Sequence, residues 1–170
     1  MTEDQRIKAA QLIHENARQY RGSFLNLIAC IEHDIAHLLT DYFCTICPDK
    51  RRIFYEEIVT EEFFSLYRKK NVLIKIVKVD YPRYWNDKKD FLKTFDKVLE
   101  FRNKLAHSVV DVSEKALSRP IEEGIGFKDW DNGTPITSAE FNDWEVKAKM
   151  IYSCLNDIKR LLPFKEKPII

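Results

Sequence analysis

Three side chains capable of chemistry lie within the stretch "FDKVLEFRNKLAHSVVDV", near the end of a predicted helix. Arg102 carries a planar cation, Asn103 an amide, and His107 an imidazole, a ring that can take or give a proton. In a helix, Asn103 and His107 are four residues apart and share a face. Arg102 lies about 100° around the helix axis from Asn103. The spacing therefore places a cation, an amide and a titratable ring within about a turn and a half.

These three groups match the requirements of RNA cleavage by the RNA's own 2′-hydroxyl. An imidazole can take or give the proton, and a guanidinium can hold the phosphate and offset charge in the transition state. The amide can orient the substrate or the imidazole. General acid–base cleavage needs both an acid and a base, whereas one chain supplies a single imidazole here. A two-fold dimer would supply the second one.

The helix that positions these groups is predicted to begin at about Asn86. Its apolar seam has the spacing i, i+4, i+7, i+11 and i+14, and consists of Phe91, Phe95, Val98, Arg102 and Leu105. An arginine on that seam is expected to be buried, and a buried arginine needs a partner or a substrate. A purely structural alternative remains open. In it, Arg102 pairs with a carboxylate of a neighbouring helix and His107 stabilises the negative helix end.

The remaining sequence predicts an all-α fold, an up-and-down bundle of four to five helices with a small β-hairpin before the last helix. The length suits a single domain over residues 1–170. Besides the helix from Asn86, helices are predicted over residues 3–20, 24–43, about 50–58, 61–79 and 138–162. Three of them have a predicted N-cap: Ser23 for the helix over 24–43, Thr60 for the helix over 61–79, and Ser138 for the last helix. Asn132-Gly133 is a two-residue turn signal, which predicts a hairpin within an excursion over about 109–137.

The overall charge balance limits the classes of partner. The formal net charge is +1, which excludes a generally cationic nucleic-acid coat protein but permits a local basic patch. No apolar run approaches the roughly 20 residues that span a bilayer, so no membrane partner is expected. The N-terminal residues do not have the pattern of a secretion signal, which predicts a cytoplasmic location with reduced cysteines.

Four further residues have the types and spacing of a metal site. His33 and His37 followed by Cys44 and Cys47 have spacings that zinc accepts, and a zinc-stabilised helical interaction domain is one alternative. The helical pattern continues from His37 to Cys44, however, which leaves little chain to fold the cysteines back onto the histidines. Glu-x-x-His, Walker and glycine-rich motifs do not occur, so we expect no metal and no cofactor.

The segment "RNKLAH" resembles the Arg-x4-6-His signature of HEPN domains (higher eukaryotes and prokaryotes nucleotide-binding), in the Arg-Asn-x-x-x-His form. The resemblance implies a helical bundle that dimerises with its motif helices facing each other. It also implies that Arg102 binds the scissile phosphate, that His107 is the acid–base group and that Asn103 positions substrate or imidazole. Lys104 would be a further substrate-binding residue, and Glu32 would orient Arg102, with Asp34 as the second choice for that role.

Many members of this family are metal-independent endoribonucleases of toxin–antitoxin, phage-defence and CRISPR-associated systems, and leave a 2′,3′-cyclic phosphate and a 5′-hydroxyl. The resemblance therefore implies RNA as substrate, a homodimer, and an antitoxin or defence-system protein as partner. Some members keep the fold without cleaving RNA. The alternative is thus a non-catalytic module that binds a nucleotide or a partner protein.

Overall fold

The structure is a computed structural model, and it describes residues 1–44, 47–120, 123–128 and 133–162. It is mostly helical, which confirms the predicted all-α bundle with a small β-hairpin. The described helices are α1 (Glu3–Phe43), α2 (Pro48–Phe54), α3 (Leu66–Asp80), α4 (Pro82–His107), α5 (Glu114–Leu117) and α6 (Ser138–Leu161), with a π-helical turn at Tyr55–Val59. No helix in these described ranges has an apolar stretch long enough to cross a bilayer.

The first helix differs from the prediction, because α1 is one continuous helix of 41 residues. The predicted break at Gly22-Ser23 is wrong. Ser23 lies inside α1 and is not an N-cap, and its hydroxyl donates to the carbonyl of Tyr20, 3.0 Å away. A glycine costs a helix interior about 1 kcal/mol. Burial of Ala17 and Phe24 on either side of Gly22 outweighs that cost.

The helix over "VLIKIVKV" is confirmed, since α3 contains this segment and buries Leu73, Ile76 and Val77. The predicted cap at Thr60 is wrong. Thr60 instead closes the π-helical turn, with its amide donating to the carbonyl of Tyr55 over 3.0 Å. The helix starts later, at Leu66, and α4 follows it at Pro82, where a proline suits the first helical position.

The chain forms two compact units. Unit 1 consists of Met1–Ile28 and Thr94–Lys149, and unit 2 consists of Ala29–Lys93 and the chain from Met150 onward. Helices α1, α4 and α6 each contribute residues to both units. The prediction of one domain over residues 1–170 stays a prediction.

Aromatic packing holds three helices together within unit 1. Phe24 of α1 meets Phe101 of α4 edge-on, with ring centroids 5.1 Å apart, and meets Phe141 of α6 at 5.8 Å. Phe101 also stacks on Trp144 of α6 at 5.5 Å. Such aromatic pairs stabilise packing beyond their buried area. The C-terminal part of α4 is therefore anchored between α1 and α6.

A short sheet follows α4 in unit 1. Strands β1 (Val109–Val110) and β2 (Phe127–Lys128) pair antiparallel, and a bridge joins Lys128 to Pro135. The amide of Ile136 donates to the carbonyl of Phe127 over 3.0 Å, as expected for the predicted hairpin. Asn132 of the turn lies outside the described residues. The pairing with β1, directly after α4, was not predicted.

Two local features complete unit 1. Gly126 has a φ of +87°, and a Cβ there would lie 2.9 Å from the carbonyl oxygen of Ile13, so this position requires glycine. Helix α6 is capped by Thr137, whose Oγ1 accepts from the amide of Glu140 over 3.1 Å. The predicted cap, Ser138, is the first helical residue instead.

Candidate active site

The C-terminal part of α4 presents Arg102 to solvent, which corrects the predicted seam. Val98, Phe101 and Leu105 are buried in this part of the helix, at spacings of three and four residues. Phe101, one position earlier than Arg102, supplies the buried side chain of that turn because its ring packs among the aromatic residues of α1 and α6. Arg102 is consequently exposed, so its guanidinium pays no desolvation free energy and is accessible to a ligand.

The three predicted site residues are all exposed on the last turns of α4. Arg102 Nη1 donates to Asn103 Oδ1 over 2.9 Å, so the amide oxygen orients the guanidinium. Among the described residues of unit 1, no carboxylate pairs with Arg102, and the imidazole of His107 makes no hydrogen bond or ion pair. A cation and an imidazole are therefore available to a ligand at this helix end.

Lys104 lies on a different side of α4 and is engaged. Its Nζ lies 3.1 Å from Oε1 of Glu140, and both side chains are about two-thirds buried. The pair ties α4 to the first turn of α6 within unit 1. The substrate-binding role of Lys104 stays a prediction, and it requires the ammonium to be shared with Glu140.

Arg21 closes the carbonyl end of α4, a role that no sequence signal indicated. Its Nε donates to the carbonyl of Leu105 over 3.1 Å, and its Nη2 donates to the carbonyl of Ser108. The guanidinium also lies 4.5 Å from the ring centroid of Phe127. Burial lowers the pKa of Arg21. A cation at a helix C-terminus satisfies carbonyls that have no helical partner and stabilises the negative end of the helix. Arg21 thereby holds the turn that carries His107.

The predicted supporting carboxylate, Glu32, lies in unit 2, whereas Arg102 lies in unit 1. Within unit 2, Glu32 Oε1 accepts from Nζ of Lys69 over 2.6 Å. Lys69 is only 5% exposed, so its ammonium depends on this carboxylate for a charged partner. The described geometry thus gives Glu32 a structural role, and its action on Arg102 stays a prediction.

A second cluster of titratable side chains occupies unit 2. His33 Nε2 and His37 Nε2 are 3.0 Å apart, and Tyr55 Oη lies 3.3 Å from His33 Nδ1. The rings of His37 and Tyr55 stack with centroids 4.8 Å apart. Burial lowers the pKa of His37, and the neighbouring His33 lowers it further.

The four residues of the zinc alternative do not assemble as a set. Within the described ranges, no three His, Cys, Asp or Glu side chains are placed to hold one metal ion. His33 and His37 converge because they are four residues apart on α1, whereas Cys44 and Cys47 do not join them. The helical continuity noted in the sequence explains this, since α1 continues to Phe43.

No protein-family model, curated protein or solved structure matches this chain.

Proposed function

We propose that this protein is a metal-independent endoribonuclease of the HEPN type, which cleaves RNA as a homodimer with Arg102 and His107 of both protomers. The observation that supports this proposal is that the side chains capable of the chemistry are exposed to solvent at the end of α4. Arg102, Asn103 and His107 are exposed there together, and neither the guanidinium nor the imidazole is consumed by a charged partner within the described part of unit 1.

In the proposed reaction, the 2′-hydroxyl attacks the adjacent phosphorus and the bond to the 5′-oxygen breaks. One His107 imidazole removes the 2′ proton as the new bond forms, and a second, protonated imidazole gives a proton to the departing 5′-oxygen. Arg102 holds the non-bridging phosphate oxygens and offsets their increasing charge. Asn103 orients Arg102 through the 2.9 Å hydrogen bond. The products are a 2′,3′-cyclic phosphate and a 5′-hydroxyl.

A homodimer supplies the second imidazole in this proposal. Around the end of α4, apolar side chains are exposed in a way that suits such an interface: Val109 is 52% exposed and Val112 is 45% exposed. A two-fold axis near these residues would bring two copies of the same patch together, as isologous dimers do. The supporting features are thus the single histidine, His107, that each chain contributes at the end of α4, and an apolar surface that follows it directly in sequence.

The proposed setting is cytoplasmic, in a toxin–antitoxin or phage-defence system with an antitoxin or defence protein as partner. A second candidate is a non-catalytic HEPN-like module that binds a nucleotide or a partner protein. One observation favours it: Lys104 and Glu32, the two supporting residues, are each engaged in an ion pair with another residue. A binding module needs only the exposed Arg102 and His107.

The test is an RNA cleavage assay with purified, tag-free protein in EDTA, with products analysed for 2′,3′-cyclic phosphate ends. We expect cleavage by the wild type and a loss of at least about 100-fold in His107→Ala, the usual contribution of a general acid or base. Arg102→Ala should lose a similar factor, since it removes a stabiliser of the transition state.

Matched controls exist on α1, where His14 and Arg18 are an exposed histidine and an exposed arginine of the same unit. His14→Ala and Arg18→Ala should cleave like the wild type. Intact RNA with every substrate tested, or full activity in His107→Ala, would reject the endoribonuclease. Nucleotide binding that is lost in Arg102→Ala without any cleavage would support the non-catalytic module instead.

A further inference from the structure

The cluster formed by His33, His37 and Tyr55, here called the dihistidine cluster, has a geometry that the proposed nuclease chemistry does not use. We infer that His33 and His37 bind one divalent transition-metal ion of the Zn²⁺, Cu²⁺ or Ni²⁺ class through their Nε2 atoms. This site differs from the zinc alternative of the sequence, because it excludes Cys44 and Cys47 and leaves coordination positions open.

The separation of the two ring nitrogens is the main support. Imidazole nitrogens bind zinc at about 2.0–2.1 Å. Two such bonds with nitrogens 3.0 Å apart enclose an angle of about 95° at the metal, given bonds of that length. This value lies between the roughly 90° of square-planar or octahedral sites and the tetrahedral angle of roughly 109°. The 3.0 Å separation therefore suits one ion bound by both nitrogens while the helix backbone stays in place.

The helix makes this arrangement rigid. His33 and His37 are four residues apart on α1, the same spacing that places two histidines on one ion in helical zinc motifs. Between and beside them, Ile35, Leu38 and Leu39 are at most 2% exposed, so the helix cannot rotate within unit 2 without breaking its packing. Only the side-chain torsions of the two histidines remain to be set.

Tyr55 contacts both histidine rings and so restricts their orientation. Its ring stacks on His37 with an interplanar angle of 23°, and its hydroxyl lies 3.3 Å from His33 Nδ1. A histidine bound to a metal through Nε2 carries its proton on Nδ1 and donates it to a neighbouring oxygen, which fixes the tautomer. Tyr55 Oη is placed to accept that proton's hydrogen bond. Without metal, the contact between the two Nε2 atoms needs one Nε2–H, so metal binding moves the proton of that ring from Nε2 to Nδ1, with no net change in the protons held by two neutral imidazoles.

The remaining coordination positions open into a pocket of about 460 Å³ in unit 2. Its charged lining residues are Asp34, Asp41, Arg51 and Lys159, and Asp41 forms a close ion pair with Arg51. The charges of two carboxylates and two cations cancel, so the pocket has no net positive charge that would repel a divalent metal ion. No third described His, Cys, Asp or Glu joins the two histidines, and water therefore fills the open positions, as in metal sites that exchange a ligand.

Metal binding to tag-free protein, first treated with EDTA and then exchanged into chelator-free buffer, tests the inference. Calorimetric titration with ZnCl₂ should show one ion per chain. Both His33→Ala and His37→Ala should lower the affinity at least tenfold. His14→Ala and His107→Ala remove the other two histidines and should leave the affinity unchanged. The double variant Cys44→Ser/Cys47→Ser should also bind like the wild type.

A spectroscopic readout keeps the test valid if a histidine variant fails to fold. The wild type loaded with one Cu²⁺ should give an electron paramagnetic resonance spectrum with hyperfine splitting from two imidazole nitrogens. Binding that disappears in the cysteine double variant would overturn the inference in favour of a thiolate site. Unchanged binding in both histidine variants, or a copper spectrum without nitrogen splitting, would overturn it as well. RNA cleavage in EDTA has no part in this test, so its outcome is independent of the proposed nuclease.

Discussion

Arg21 Nε donates a hydrogen bond to the carbonyl oxygen of Leu105, 3.1 Å away, and so closes the helix that carries Arg102, Asn103 and His107. The contact links the middle of α1 to the end of α4 within unit 1. The same guanidinium also reaches the carbonyl of Ser108. One side chain therefore satisfies two carbonyls at the point where the proposed site ends and β1 begins.

Replacing Arg21 should destabilise unit 1. Arg21→Ala removes hydrogen bonds from a charged donor and leaves part-buried carbonyls unsatisfied, which costs about 2–3 kcal/mol in the free energy of unfolding. Urea denaturation monitored by circular dichroism measures this change. Arg18→Ala is the matched control on the same helix, because Arg18 is exposed and should shift stability by less than about 0.5 kcal/mol. Equal effects of the two substitutions would contradict the role of Arg21.

Two glycines should respond in opposite directions to alanine. Gly126→Ala forces a Cβ against the Ile13 carbonyl at positive φ and should destabilise by roughly 1–3 kcal/mol. Gly22→Ala places its Cβ in open space within a helix and should stabilise by about 1 kcal/mol. Thermal unfolding of both variants gives the two signs. A stabilising Gly126→Ala would show that β2 does not approach α1 as described.

The Glu32–Lys69 pair should matter for stability in its own right. Glu32→Gln leaves the buried ammonium of Lys69 without its charge partner. We expect a loss of roughly 2 kcal/mol, below the usual cost of breaking a buried pair, because Glu32 keeps 37% of its side chain exposed. Adding Lys69→Met should restore most of that loss, since an apolar side chain of similar length needs no partner.

The same variants separate the two roles of Glu32. If Glu32 acts only on Lys69, the double variant Glu32→Gln/Lys69→Met should cleave RNA at the wild-type rate. A double variant that is stable but inactive would instead support the predicted action of Glu32 on Arg102. Unfolding free energies and cleavage rates measured on the same preparations distinguish these outcomes.

A double-mutant cycle on Lys104 and Glu140 tests the predicted substrate-binding role of Lys104. As a part-buried ion pair, the two residues should show a coupling energy of roughly 0.5–1 kcal/mol in urea denaturation. If Lys104 also contacts RNA, Lys104→Ala should weaken RNA binding at low salt while Glu140→Ala does not. Equal RNA affinity of the two variants would leave Lys104 with its structural role alone.

Helix content could be predicted from the sequence because its signal is local. Apolar residues at period 3.6 indicate α1, α3, α4 and α6, and the same period predicts that the β-branched segment "VLIKIVKV" is helical, as the structure confirms. The predicted break at Gly22-Ser23 is wrong because helix propensity is a local property. The helix continues through Gly22 because Ala17 and Phe24 are buried on either side of it, and that burial depends on the tertiary structure.

The sequence by itself determined which residues share a helical face: Asn103 with His107, and His33 with His37, each four residues apart. Only the tertiary structure decided which face is covered. Phe101 and Arg102 are adjacent, and either could complete the apolar seam by spacing. Aromatic neighbours on α1 and α6 select Phe101 and leave Arg102 in solvent. The partners of Arg21, Glu32 and Lys104 were decided in the same way, because each lies at least 36 residues away along the chain and only folding brings it within hydrogen-bonding distance.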